Sequence, residues 1–250
     1  MPYEQHPVFA PASDRTPIWR YIDFTKLMSM LVSRTLFFCR SDLLDDRFEG
    51  SMSRANLRAR DSIQTWLPAA LHDRMKAQLA EIHEAEPKRT FINSWSMGRY
   101  ESVALWRLYV GSREGVALRS TFGRLTRSLE AEPRPVHVGQ VHYIDYDVDP
   151  IPEDHVLHPF VYKRQSFDFE RELRAVVQNL DTDEKGHLLT IPADAPPGLF
   201  VPCRLETLIS TIRVSPASGA WFGPLVRSVL KTYGLDVEVE ESNLLANPVY

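Results

Sequence analysis

The sequence is short of cysteine, of one-sided charge and of long apolar runs, and each shortage removes a class of protein. Two cysteines, Cys39 and Cys203, make neither a disulfide framework nor a four-ligand metal site, and they fit most simply in a reducing compartment. A formal net charge of −4 gives no bulk attraction for nucleic acid or anionic lipid. No stretch reaches the ~18 consecutive apolar residues that a membrane-crossing helix needs. The opening MPYEQHPVFAPASDRTPIWRY has prolines and charges where a secretory signal would have an apolar centre. The expectation is a soluble, cytoplasmic protein with no membrane partner and no basic nucleic-acid-binding signature. Also missing are GxGxxG after a strand and GxxxxGK[ST], so classical dinucleotide and P-loop folds lack their signature.

What is present is an ordinary core-forming composition, 44% hydrophobic over 250 residues, enough for one fairly large domain or two small ones. Residues 1–16 are polar and proline-bearing and read as a flexible arm before a domain spanning 17–250. Ile18–Tyr21 reads as a strand, Asp23 as the cap of a helix running to about Val32, and TLFFC at Thr35–Cys39 as a buried strand. Residues 53–86 read as a helical insertion broken at Pro68. Phe91–Trp95, GVALRS from Gly115, VHVGQVHYIDYD, ELRAVV from Glu172, Thr211–Val214 and Leu235–Val239 read as strands, with GHLLTI as a short one. Helices are expected over Glu101–Val110, after Thr121, at Leu205–Ile209 and over Ser218–Tyr233, the last ended by Gly234. Short strands alternating with helices through irregular connections argue for a single α+β domain with a central, mostly antiparallel sheet.

Four segments carry residues suited to chemistry. Arg20 and Tyr21 face opposite ways on a regular strand, and Arg20 could clamp a phosphate or carboxylate with paired hydrogen bonds. The turn DLLDDRFEG, with Asp45, Asp46 and Glu49, could hold a divalent cation through oxygens, or Asp46 and Glu49 could cap backbone N–H groups of the following helix. Ser94 and Ser96 precede a helix on which Trp106 and Tyr109, three apart, could form one aromatic ledge for a flat ring. In YKRQSFDFERELR, Glu172 and Arg174 share a phase at the start of the ELRAVV strand and Glu170 belongs to the preceding turn, so a carboxylate there could orient a hydroxyl, act as a base or simply pair with Arg174 or Lys163. The histidines give no metal site: His137 and His142 face opposite ways, and His155 and His158 lack a third ligand.

In chain order, WRY at 19–21, TLFF at 35–38, DDRFE at 45–49, SWS at 94–96, WRLY at 106–109, GVAL at 115–118 and Lys163 before EREL at 170–173 resemble DUF2971, a family of bacterial proteins without a settled chemistry. The likeness covers most of residues 18–214; Arg47 stands where that family has proline, and Asp45 where it more often has asparagine. More distantly, the order resembles ADP-ribosyltransferases. That resemblance implies NAD as the bound substrate, Arg20 or Tyr21 and Ser94 or Ser96 holding it, and Glu172, with Glu170, hydrogen-bonding the nicotinamide ribose while its glycosidic carbon gains oxocarbenium character. The acceptor would be an unknown protein or nucleic acid. A divalent-metal nuclease using the acidic turn, and a nonenzymatic ligand-binding or regulatory module, stand as alternatives.

Overall fold

The computed structural model describes residues 2–245 and 248, except 64–67, 183, 184, 186, 187, 189, 190 and 193. In chain order the elements are β1 (Pro17–Asp23), α1 (Phe24–Ser33), β2 (Thr35–Arg40), α2 (Arg54–Ile63), α3 (Ala69–Arg89), β3 (Thr90–Met97), α4 (Val103–Tyr109), β4 (Gly115–Thr121) and α5 (Phe122–Ser128). There follow β5 (His137–Gln140), β6 (His142–Ile144), β7 (Tyr162–Arg164), β8 (Glu172–Gln178), β9 (Gly198–Pro202), α6 (Leu205–Leu208), β10 (Thr211–Val214), α7 (Phe222–Thr232) and β11 (Glu238–Glu241). The architecture is α+β. One sheet runs β11-β10-β4-β1-β3-β2-β9, with β8 paired to β3 and β5 to β8. Its pairings are antiparallel except β10 with β11, and β6 and β7 form a separate parallel pair.

Local signals account for many boundaries. The Asp23 carboxylate accepts from Lys26 N at 2.8 Å and starts α1. Leu27, Met30 and Leu31, on one helical face, bury into the core. Gly234, with φ 68°, stops α7 in the left-handed region that favours glycine. One sheet face takes Ile18, Ile22, Trp95, Leu118 and Leu173 into the main core with the apolar faces of α1, α5 and α7. The other holds Trp19 and Tyr21 against Leu105 and Trp106 of α4.

Several boundaries differ from the sequence-based expectation. β2 buries Leu36 and Phe38 but leaves Phe37 exposed, because β2 and β9 form one end of the sheet with one face open. VHVGQVHYIDYD breaks at Val141 into strands of two different sheets. Its aspartates make a turn in which Asp147 N donates to Asp145 and Asp145 N to Asp149. The helix expected from Glu101 begins at Val103, capped by Ser102. The one expected from Ser218 begins at Phe222, and the last strand falls at Glu238–Glu241 rather than Leu235–Val239. β9 has no counterpart in the expectation, and GHLLTI lies mostly outside the described residues.

The segment before Pro17 is packed rather than free. Tyr3 bridges Val136, Gln140 N donates to Ala10 O at 2.9 Å, and Val8 and Phe9 are buried with Ile92, Phe160 and Val176. Gly139 permits this crossing, since a Cβ there would stand 2.8 Å from that of Phe9. His6 brings its ring centroid to 4.5 Å from His155 and 5.0 Å from His137. Burial first, then the neighbouring imidazoles of His137, His155 and His158, lower the His6 pKa from its ordinary 6.5, with Glu4 opposing; burial and His158 lower His155 likewise, against Asp154. Below pH 6.5 a released segment takes up protons that the docked one resists, so docking weakens as pH falls. Amide exchange at Phe9 and Gln140, corrected for the intrinsic rate, is expected to rise below this pH in wild type and much less in His6→Gln. Equal responses in the two proteins would contradict this.

Candidate active site

Along one edge β3 is shared by two strands: β1 pairs at Ser96 and Met97, β2 at Phe91 and Ile92. Between them the edge at 93–95 is open to side chains. Arg20 Nη1 donates to Ser94 O at 2.5 Å, and Asn93 Nδ2 to Phe37 O at 2.8 Å while its Oδ1 accepts from Trp95 Nε1. Backbone groups that lose a ladder partner must find another, and here side chains supply it. A cavity of about 560 Å³ occupies this parting of the strands.

The cavity gathers Arg20, Tyr21, Asp45, Asp46, Glu49, Ser94, Ser96, Tyr109, Glu170, Glu172 and Arg174, eleven of the twelve residues singled out from sequence. Register explains much of it. On the edge of β3 that faces β8, Ser94 is opposite Arg174 and Ser96 opposite Glu172, so these four share a face. Trp106 is the exception. It packs edge-on to Tyr21 at 5.1 Å and donates to Glu101, whereas Tyr109 turns its hydroxyl to Glu170 Oε1 at 2.9 Å. The expected ledge is therefore split between a buried ring and a half-exposed one. Trp106→Ala is expected to cost about 3–5 kcal/mol of stability, while Tyr109→Phe leaves stability within about 1 kcal/mol. Chemical unfolding of both variants measures the difference, and a similar loss in each would restore the ledge.

The acidic turn also departs from expectation. Asp46 does not cap the next helix; it accepts from Phe48 N within the turn and from Arg164 at 2.7 Å. Glu49 reaches across to Arg174, and the backbone N–H of Asn56 in α2 is met by Ser53. Asp45 is exposed at the cavity wall. Gly50 takes φ 73°, and a Cβ there would meet Phe160 at 2.6 Å, so the turn needs glycine on both grounds.

The centre of the site is a buried charge cluster. Arg174 grips both Glu49 oxygens at 2.7 Å, donates to Glu172 Oε2 at 2.6 Å and to Phe160 O at 2.9 Å. Lys163 Nζ lies 2.6 Å from Glu170, 2.8 Å from Glu172 and 3.5 Å from Glu49. Glu170 ends a 3₁₀ turn (Gln165–Glu170) and Glu172 begins β8; the left-handed Arg171 between them, φ 45°, links the two elements. Glu172 N also donates to Tyr143 Oη at 2.7 Å.

Two carboxyls two residues apart are thus driven in opposite directions. Burial works against ionised Glu172, yet Arg174 and Lys163 overcome it and hold its carboxyl well below the usual range. Burial and the adjoining Glu172 push Glu170 up to about 7 against the pull of Lys163. Arg20, drawn down to about 10 by burial, stays cationic and donates to the backbone carbonyl of Ser94. Lys163, which the sequence pairs with Glu172 alone, also reaches Glu170 and Glu49 from a short strand on which it alternates with Tyr162 and Arg164. Among the described residues, no group of three or more His, Cys, Asp or Glu side chains could hold a metal ion, and no helix is long and apolar enough to cross a membrane. No family model matches the chain, and no curated protein matches its sequence.

Proposed function

We propose that this chain is an ADP-ribosyltransferase-like enzyme that cleaves the nicotinamide–ribose bond of NAD and passes the ADP-ribosyl group to a protein or nucleic acid. The supporting observation is the meeting of Arg20 from β1, Ser94 and Ser96 from β3, and Glu170 and Glu172 around one cavity. Arg20 suits a phosphate, since guanidinium donors remain after its bond to Ser94 O. Ionised Glu172 suits a ribose hydroxyl and the positive charge that develops as the C–N bond breaks and its electron pair leaves with nicotinamide. Glu170, near 7, is placed in energy to take the proton of the attacking acceptor as the new bond to the sugar carbon forms. Membership of DUF2971 and a cytoplasmic location belong to the same proposal; the motif order supports the first and two unpaired cysteines the second.

The metal-nuclease reading asks for carboxylates free to ligate, whereas Asp46 is held by Arg164 and Glu49 and Glu172 by Arg174. A nonenzymatic binding module has one observation in its favour: Glu49, Glu170 and Glu172 each already contact a cation, as a purely structural cluster would. Incubation with NAD, followed by nicotinamide release, is the deciding assay. Release that depends on Glu172 supports the enzyme; NAD binding without release supports the module, and neither binding nor release rejects the NAD site.

A further inference from the structure

The charge cluster that lines the cavity has an odd number of charged groups. Three carboxylates, Glu49, Glu170 and Glu172, surround two cations, Lys163 and Arg174, all within 3.5 Å of at least one opposite partner. All five residues are buried, Glu49 the most exposed of them at 8%, so water screens an imbalance poorly. If every group were ionised the cluster would carry one net negative charge; a single proton removes it. The partners of each carboxylate decide where that proton sits. Glu49 receives two parallel bonds from Arg174, and Glu172 receives Arg174 and Lys163 together, whereas Glu170 has only Lys163 and the neutral Tyr109 hydroxyl. The other groups around Glu170 are Tyr143 of β6 and Glu172 itself; Arg20, on β1 and bonded to the Ser94 carbonyl, is coupled to Glu172 and Tyr109.

We propose that Glu170 is a neutral acid in the ligand-free cavity and that a ligand bearing a fixed positive charge displaces its proton to solvent on seating. The inference rests on the proposed cavity function and deepens it: the cavity exchanges a proton for a cation, and so selects the oxidised, positively charged ring of a pyridine dinucleotide over the neutral reduced ring. The proton balance is simple. The neutral carboxyl and the cationic ligand become a carboxylate–cation pair, and one proton passes to buffer. Glu170 then enters any later step ionised, as an acceptor of protons. Arg20 lines the same cavity and suits an anionic group carried by the same ligand.

Two measurements test this. The first needs no ligand: carbon-13 titration of the Glu170 carboxyl is expected to show a midpoint near 7, and a midpoint at the ordinary 4.5 overturns the proposal. The second is calorimetry of NAD⁺, NADH and the N-methylnicotinamide cation in buffers of different ionisation enthalpy, using wild type and Glu170→Gln. Wild type is expected to release a proton with either cationic probe, to gain about tenfold in affinity for it per pH unit on the acid side of the Glu170 midpoint, and to bind NADH without proton release. Glu170→Gln loses both the release and the pH dependence. Equal proton release by the two proteins, or by NAD⁺ and NADH, overturns the inference. Proton release with N-methylnicotinamide but no binding of NAD⁺ supports it while rejecting the dinucleotide function.

Discussion

Arg174→Met is expected to lower stability by about 3–5 kcal/mol, because it strands two carboxylates that the fold has removed from water. Arg174 is 0% exposed and serves Glu49, Glu172 and the Phe160 carbonyl at once. In a chain of this size the loss corresponds to a fall in Tm of roughly 6–20 °C. Arg174→Lys keeps the charge but cannot grip Glu49 with two parallel bonds while reaching Glu172, so an intermediate loss is expected. The pH dependence follows from the same contacts. Glu172, held below its ordinary 4.5, contributes stability that is present above that value and lost as pH falls through its folded pKa. Burial opposes the charge of Lys163, but Glu172 and Glu49 raise it overall, and its contribution is lost as pH rises through the raised value. Thermal unfolding across pH measures both, and an Arg174→Met protein within about 0.5 kcal/mol of wild type would show that the cluster does not support the fold.

Glu172→Gln is expected to lower kcat for nicotinamide release by about 10²–10³-fold while NAD affinity changes little. The substitution keeps an acceptor near Lys163 and Arg174 but removes the negative charge that faces the developing oxocarbenium. Glu170→Gln is expected to abolish the pH dependence of the acceptor step more than the bond-breaking step, since Glu170 carries the exchangeable proton and Glu172 the fixed charge. The structural alternative makes a different forecast: Glu172 serves only to hold Arg174 and Lys163, so Glu172→Gln lowers Tm and leaves kcat per folded molecule unchanged. Comparing nicotinamide release, NAD binding and unfolding for wild type and both variants separates the two, and a fully active Glu172→Gln enzyme would sink the catalytic assignment.

The sequence by itself determined what depends on near neighbours. Asp23 three residues before Lys26, the apolar spacing of Leu27, Met30 and Leu31, and Gly234 after α7 each act within one helical turn, where chain geometry leaves little choice. The strand phase of Glu172 and Arg174 was legible for the same reason, as was the α+β class from the alternation of elements. The tertiary structure decided the rest. Trp106 and Tyr109 share a helix, but whether they form one surface depends on Tyr21 and Glu170, which come from other elements. The packing of Val8 and Phe9 depends on Gly139 and Phe160, beyond the reach of any local pattern. Most of all, which of Glu170 and Glu172 keeps a proton depends on Arg174 being shared with Glu49, 125 residues away in sequence, and on Lys163 arriving from a separate strand pair. Helix caps and strand alternation are short-range steric effects, whereas the protonation of a buried carboxyl is set by every charge folded around it.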